Sequence, residues 1–500
     1  MENAQVKIFL KNKSLETKKI GLILGPLLFI LIRYLVSFDG LQDEGNAVLA
    51  SSVWIAVWWI TEALPISVTA LLPIILFPLS GGMELSDTTA AYGHKLVFLT
   101  MGGFIIAIAI EKWNLHKRIA LNIINYLGTD INKIILGFMA ATAFLSMWIS
   151  NTATSVMMLP IGLAVINEFN TRLSKKDQDN SFGKALMLSI AYSASIGGVA
   201  TLVGTPPNIV FAGVVLETYN YEITFFNWMI FGLPVSLFLL FICWKYLTNF
   251  AFSFKKNEFP GGKEEILKLK QELGPVSYEE KMVGLIFALT AFCWITRSFF
   301  IQKYIPGIDD TIIAIFFGII LFLISTRSKD RKLINWNEAV KMPWGVILLF
   351  GGGMALAKAF EISGLAIWLA EQMIALKGLN LFIILIFLIA AVNFLTEITS
   401  NLATTAMLLP VLASIAVLLE VHPFIIMTGA TVAASCAFML PAATPPNAVV
   451  FGSGYLRIPD MVKAGILMNL FSIIFLALMV FYILPILWGI DPGNFKSLNL

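Results

Sequence analysis

Apolar stretches separated by short polar ones run through the whole chain, and their lengths predict helices. The stretches at 20–36, 47–61, 64–80, 96–111, 185–216, 225–248, 282–300, 311–326, 343–360, 424–456 and 464–488 give eleven expected crossings, because a backbone in lipid has to satisfy its own hydrogen bonds. Two further stretches, 134–167 and 379–419, break this pattern. Each is a pair of apolar arms around a polar tip, Ser150-Asn151-Thr152 in the first and Ser400-Asn401-Leu402 in the second. The first pair's arms, 134–149 and 153–167, would be only about 22 to 24 Å long as helices, against hydrocarbon of ~30 Å. Both stretches are therefore predicted to be re-entrant hairpins. The expected fold is an all-α polytopic membrane protein with about eleven transmembrane helices and two hairpins.

Composition supports the membrane reading: 58% of residues are hydrophobic and 13% charged, where soluble domains carry roughly 25% charged residues. The net charge of +3 matters less than where the charges fall, because lysine and arginine in short loops stay cytoplasmic. Lys7, Lys11, Lys13, Lys18 and Lys19 precede the first stretch, which lacks a small-x-small cleavage pattern and so predicts a retained helix and a cytoplasmic N-terminus. Asp39, Asp43 and Glu44 then fall outside. Lys112, Lys117, Arg118 and Lys133 lie before the first hairpin, and Arg172, Lys175, Lys176 and Lys184 follow it, so it leaves and regains the cytoplasm. Glu217 and Glu222 are expected outside. The polar stretch 250–281, with Pro260-Gly261-Gly262, is a cytoplasmic linker that could carry one surface helix. Arg327, Lys329, Arg331 and Lys332 mark another cytoplasmic loop, which makes the second hairpin enter from outside and leaves the C-terminus outside. Cys243, Cys293 and Cys436 sit within apolar stretches at no metal-binding spacing and read as core residues. A compact many-span chain without a targeting peptide suggests a bacterial inner membrane.

The hairpins belong to a duplication. At an offset of 250, Leu99 matches Leu349, Gly102-Gly103 match Gly352-Gly353, Glu111 matches Glu361, Ser146 pairs with Thr396, Asn151 with Asn401, Thr154 with Thr404 and Pro160 with Pro410. Thr205-Pro206-Pro207-Asn208 recurs as Thr444-Pro445-Pro446-Asn447 at an offset of 239. The expected organisation is an N-terminal segment and first helix over 1–46, one repeat over 47–249, the linker, a second repeat over 282–490 and a tail over 491–500. Hairpins entering from opposite faces make the repeats inverted.

The repeated residues suit small ions. A hairpin tip starts a new helix, whose free N–H groups and partial positive charge favour an anion without any lysine or arginine. Ser150 with Asn151, and Ser400 with Asn401, occupy the expected N-cap positions. The paired prolines cannot donate N–H groups, so carbonyls near Leu202 and Val203, and near Pro441 and Ala442, lose helical partners and become available to a hard cation such as sodium. Two opposed helix starts suit a ligand charged at both ends. A small dicarboxylate fits, and so would sulfate.

These motifs, with Trp58-Trp59-Ile60-Thr61-Glu62-Ala63-Leu64-Pro65, resemble the divalent anion:sodium symporter family over nearly the whole chain. The resemblance implies a homodimer of scaffold and transport domains that moves C4-dicarboxylates such as succinate, malate or fumarate with Na+ by an elevator motion. It implies one sodium site at Ser146, Ser150, Asn151 and Gly204, and a second at Thr396, Thr399, Asn401 and Ala443. It places substrate against Asn151, Thr152, Ser400, Asn401, Thr444 and Pro445, with Thr205 and Pro206 close by. Leu402 departs from the threonine of many bacterial dicarboxylate carriers and removes one hydroxyl donor, with Thr404 and Thr405 near enough to compensate.

Other classes fare worse. An intramembrane enzyme needs an activated nucleophile or a metal set, and His94, His116 and His422 are far apart with no HExxH. A passive anion channel could also use helix N-termini, but two matched hairpins beside cation chemistry favour alternating access. Sulfate symport and dicarboxylate exchange remain alternatives. Glu62, Glu111 and Glu361 lie at expected helix ends, and Glu397 is placed to cap or orient the second tip.

Overall fold

The computed structural model describes residues 2–128, 130–172, 180–252, 254, 262–372 and 378–493. Lys175, Lys176, Pro260-Gly261 and the tail from 494 lie outside them. The described residues form helices and no strands, with one isolated bridge between Ser325 and Lys332.

In chain order the helices are α1 (Glu2–Ile30), continued by a π-helical turn, α2 (Asp43–Thr61), α3 (Ile66–Thr69), α4 (Leu72–Ser80), α5 (Leu85–Tyr92), α6 (Lys95–Lys112), α7 (Leu115–Leu127), α8 (Ile131–Ser146), α9 (Asn151–Arg172), α10 (Ser181–Val199), α11 (Pro206–Tyr219) and α12 (Phe225–Tyr246). The linker carries α13 (Gly262–Glu272). Then come α14 (Tyr278–Thr296), α15 (Asp310–Leu323), α16 (Trp336–Ala339), α17 (Trp344–Ile362), α18 (Leu365–Gln372), α19 (Leu381–Leu395), α20 (Asn401–Leu418), α21 (Pro423–Ala434), α22 (Pro445–Phe451), α23 (Ile458–Leu478) and α24 (Leu484–Trp488). Seven described helices or helix runs are long and apolar enough to cross a membrane, and five more apolar ones are shorter. The protein is a multi-pass membrane protein.

Several expected stretches prove subdivided. The one at 64–80 splits into α3 and α4 around Ala70 and Leu71, with Pro73 in the first turn of α4, where a ring without an N–H starts a helix at no cost. The two stretches containing the Thr-Pro-Pro-Asn motifs split into α10 with α11 and α21 with α22. The second hairpin arms exceed the expected length: α9 has 22 residues and α20 has 18, about 33 and 27 Å. Four short helices, α5, α7, α16 and α18, were not expected. α7 is strongly two-faced, burying His116, Arg118, Ala120, Leu121 and Ile124, a pattern too short and too charged to stand out as a crossing.

The helices pack into two groups. α2, α4, α5, α6, α14, α15 and α17 form a frame in which α6 lies along α15 and α17 lies along α5. α8 to α12 and α19 to α23 form a second body around α10, whose side chains are nearly all buried. Apolar side chains that remain exposed, such as Leu237, Phe238 and Phe241 on α12 and Ile312, Phe316 and Ile319 on α15, fall at helical spacing on outward faces, as lipid contact requires. α17 packs on α20 and α11 of the second body, whereas α6, its sequence match, has no comparable contact with α9 or α22 among the described residues.

Candidate functional site

A cavity of about 1660 Å³ lies where the frame meets the second body. The predicted residues Ser150, Asn151, Thr152, Gly204, Thr205, Pro206, Thr399, Ser400, Asn401, Ala443, Thr444 and Pro445 all line it, together with Leu402. Ser146 and Thr396 lie one layer behind, fully buried. Among its charged lining residues, Lys117, Lys341, Glu62, Glu111 and Glu272 sit at or just beyond helix ends, and Lys18 lies within α1. The helices α9, α11, α20 and α22 all start at this cavity.

The asparagines do not cap these helices as expected. Asn151 and Asn401 are the first helical residues, and their side chains turn sideways. Ser150 caps α9 by accepting from Ala153 N at 3.3 Å. Ser400 makes no such bond, which leaves its hydroxyl facing the cavity.

The Asn151 amide meets three oxygens, Ser146 Oγ at 2.7 Å, Ala194 O at 3.2 Å and Gly204 O at 3.2 Å, and with its nitrogen turned to them it donates to all three. Ser146 Oγ also approaches Ala194 O at 2.7 Å. Ser146 Oγ, Ala194 O and Gly204 O thus converge within reach of one side-chain amide. The second tip repeats the arrangement, with Thr396 Oγ1 at 2.6 Å from Asn401 Oδ1 and 3.0 Å from Ala434 O. Thr399 Oγ1 lies 2.6 Å from Thr404 Oγ1. The carbonyls of Ala194 and Ala434 went unnoticed in the sequence because nothing in an alanine marks its backbone oxygen.

Tight backbone packing makes the first cage possible. A Cβ on Gly198 would stand 2.5 Å from the Asn151 amide, and one on Gly204 2.5 Å from Gly198 O, so neither position tolerates a side chain without pushing these groups apart.

The breaks before the prolines are wider than expected, and most of their carbonyls are not free. Asn208 Nδ2 donates to Thr201 O at 2.8 Å and Gly198 O at 3.2 Å, and Asn447 Nδ2 to Leu440 O at 3.0 Å and Ala437 O at 3.2 Å. The final asparagine of each motif is thus a pin across its own break. Of this break's carbonyls, Gly204 O is the one turned to the first cage.

The two halves then differ. In the first, Thr201 Oγ1 donates to Met147 O at 2.5 Å. In the second, the match of Met147 is Glu397, which is buried and accepts from Phe438 N, Met439 N, Leu440 N and Asn469 Nδ2 at 2.7 to 3.0 Å. Glu397 therefore organises the broken stretch after α21 rather than capping the tip. Leu402 is almost fully buried while its match Thr152 is exposed.

A model of the sodium:sulfate symporter transmembrane region matches residues 16–489. The chain belongs to the sodium:sulfate symporter family. As members of that family go, it is similar to the sodium-dependent dicarboxylate transporter SdcS of Staphylococcus saprophyticus, with 46% identity over 98% of this chain and 97% of the relative. It is 48% identical to SdcS of Staphylococcus aureus strain USA300 over 94% of this chain and 92% of the relative. Among solved structures it shares a fold with the YdaH transporter of Alcanivorax borkumensis, at a TM-score of 0.59 and 13% identity over 89% of this chain and 99% of that one. Neisseria gonorrhoeae MtrF is similar at a TM-score of 0.56 and 12% identity, over 93% and 98%. The family predicted from the repeated motifs is the one found, and its relatives are transporters, not enzymes.

Proposed function

We propose that this protein is a sodium-coupled symporter of small dicarboxylates, C4 acids such as succinate, malate and fumarate foremost. The observation that carries this reading is the matched pair of polar clusters at Asn151 and Asn401, each joining a hydroxyl, a side-chain amide and a backbone carbonyl, on either side of a cavity into which helices α9, α11 and α20 begin. Sodium fits these clusters, as hydroxyl, carbonyl and amide oxygens suit a hard cation. Ser146, Ser150, Asn151 and Gly204 would hold one ion, and Thr396, Thr399, Asn401 and Ala443 the other. The dianion would lie between, against Asn151, Thr152, Ser400, Asn401, Thr444 and Pro445, near Thr205 and Pro206. Helix starts and hydroxyls bind it without a fixed cation, so sodium supplies the neutralising charge. The names of the SdcS relatives support both substrate and ion.

The halves act as inverted repeats with re-entrant hairpins. The lysines at the cavity's charged end mark it as cytoplasmic by the charge rule, which makes this the inward-open state. The lopsided packing of α17 and α6 supports an elevator motion of the second body within the frame, in a homodimer of a bacterial inner membrane with a cytoplasmic N-terminus and the C-terminus outside. Sulfate is the second reading, favoured by Leu402, whose side chain offers no hydroxyl to a longer acid's far carboxylate.

The test is uptake of succinate, malate, fumarate, citrate and sulfate into proteoliposomes, with sodium or choline outside. Saturable, sodium-dependent succinate uptake is expected. Uptake indifferent to sodium would replace symport with exchange, preference for sulfate would replace the substrate, and unsaturable conductance would mean a channel.

A further inference from the structure

At the opposite end from the cavity's charged mouth, ionised side chains of the frame and the second body meet. The frame supplies two pairs. Lys95, at the start of α6, bonds Asp309 Oδ2 at 3.0 Å. Arg297, just after α14 and 1% exposed, faces Asp310 Oδ1 at 2.8 Å. Each cation thus has its own carboxylate, and the frame is balanced here by itself.

A fifth charge comes from the other body. Glu222, on the loop between α11 and α12, lies 3.1 Å from Lys95 Nζ and 3.4 Å from Arg297. Asp310 reaches across in return, its Oδ2 accepting from Phe225 N at the start of α12 at 2.8 Å. Beside this cluster Glu217 of α11 faces His94 at 3.4 Å and Lys358 of α17 at 3.8 Å.

We propose that Glu222 is a positioning residue for transport: a removable anion seated between Lys95 and Arg297 that holds the carrier in its inward-open arrangement. This rests on the moving-body reading above. A latch has to release as well as hold, and the frame's own pairing provides for that. When Glu222 withdraws, Lys95 keeps Asp309 and Arg297 keeps Asp310, so no buried charge is stranded, the outcome that makes breaking an ion pair expensive. Glu222 itself is partly exposed, so its hold is of the modest, salt-screened kind. Removing it should change the ratio of states by roughly two- to five-fold.

The repeat provides a reporter. Val156 is 53% exposed in the cavity, while its match 250 residues on, Ala406, is fully buried, packed where a Cβ on Gly353 would approach it to 3.1 Å. If the states exchange the roles of the halves, Ala406 becomes reachable from outside only after the body moves. The experiment measures labelling of Ala406→Cys by a membrane-impermeant maleimide added outside right-side-out vesicles, against the parent with its native cysteines. At low salt, Glu222→Gln should raise the rate roughly two- to five-fold, with the difference shrinking at high salt. Asp309→Asn, which neutralises a pair internal to the frame, should not raise it. Equal rates for Glu222→Gln and its parent, while labelling still responds to sodium and succinate, would overturn the latch alone. An Ala406→Cys that is unlabelled under every ligand condition, in protein still stabilised by sodium, would overturn the moving body and the latch together.

Discussion

Thr396→Val separates a cation ligand from an ordinary hydrogen-bonding residue. The substitution keeps the shape of a fully buried side chain and removes one oxygen. That oxygen stands 2.6 Å from Asn401 Oδ1 and 3.0 Å from Ala434 O, with one proton to share. A neutral hydrogen bond contributes about 0.5–1.5 kcal/mol and a contact to a charged group about 1.5–3 kcal/mol. If the oxygen faces sodium, its loss weakens the site by about 10- to 150-fold. The assay is thermal unfolding of purified protein in detergent, with sodium chloride titrated against choline chloride at constant ionic strength. Ligand linkage raises the unfolding temperature with the logarithm of sodium above its dissociation constant, so the midpoint of the response should move up by that factor. Ser146→Ala should shift the response through the first cage. An unchanged midpoint, with the same loss of stability in sodium and in choline, would refute the ligand role and leave Thr396 a structural donor.

Asn151→Ala and Asn401→Ala should each abolish sodium-coupled uptake, and wild-type rates from either would sink the assignment of that cage. Leu402→Thr should keep transport and shift the ranking among succinate, citrate and sulfate, whereas an unaltered ranking would put position 402 out of the substrate's reach. Glu397→Leu leaves Met439 N, Leu440 N and Asn469 Nδ2 without their acceptor, while Phe438 N keeps Asn469 Oδ1, and should cost about 3 kcal/mol of stability, against about 1 kcal/mol for Thr201→Val in the matched place; equal losses would refute the asymmetry. His422, buried where α21 begins, has its pKa pushed down to about 4 by burial, against the Asp491 carboxylate, which favours the charged ring. The unfolded chain therefore takes up this proton first, and the stability involved is complete above about pH 6.5 and lost as pH falls towards 4. Unfolding temperatures from pH 8 to 4 should show the decline, and it should be smaller in His422→Asn, which still offers an acceptor to Phe424 N.

The tips, the proline breaks and the partnership of Ser146 with Asn151 and of Thr396 with Asn401 were legible in the sequence, because each needs a particular side chain and each appears twice. Family membership was legible for the same reason. What escaped was carried by the backbone or by contacts distant in sequence. Ala194 and Ala434 act through carbonyls, which any residue possesses. Asn208 and Asn447 were visible as motif members, but their role as pins depends on which carbonyls the chain turns towards them, and that is fixed only once α10 and α21 have ended. The partners of Glu397 lie some forty to seventy residues away, so a nearby tip was the natural guess. α7 and α18 hold too few apolar residues to register as crossings, since they lie against other helices instead of traversing hydrocarbon.

The pins at Asn208 and Asn447 have a mechanical consequence. A break whose carbonyls hung loose would behave as a joint, bending whenever ions came or went. These breaks are riveted from within, each by an amide belonging to the helix that follows it. The bends are therefore fixed curvature, and the second body has the build of a rigid plug. The temperature dependence of uptake in such a carrier would report the friction of that plug against its frame, with little contribution from helices winding and unwinding.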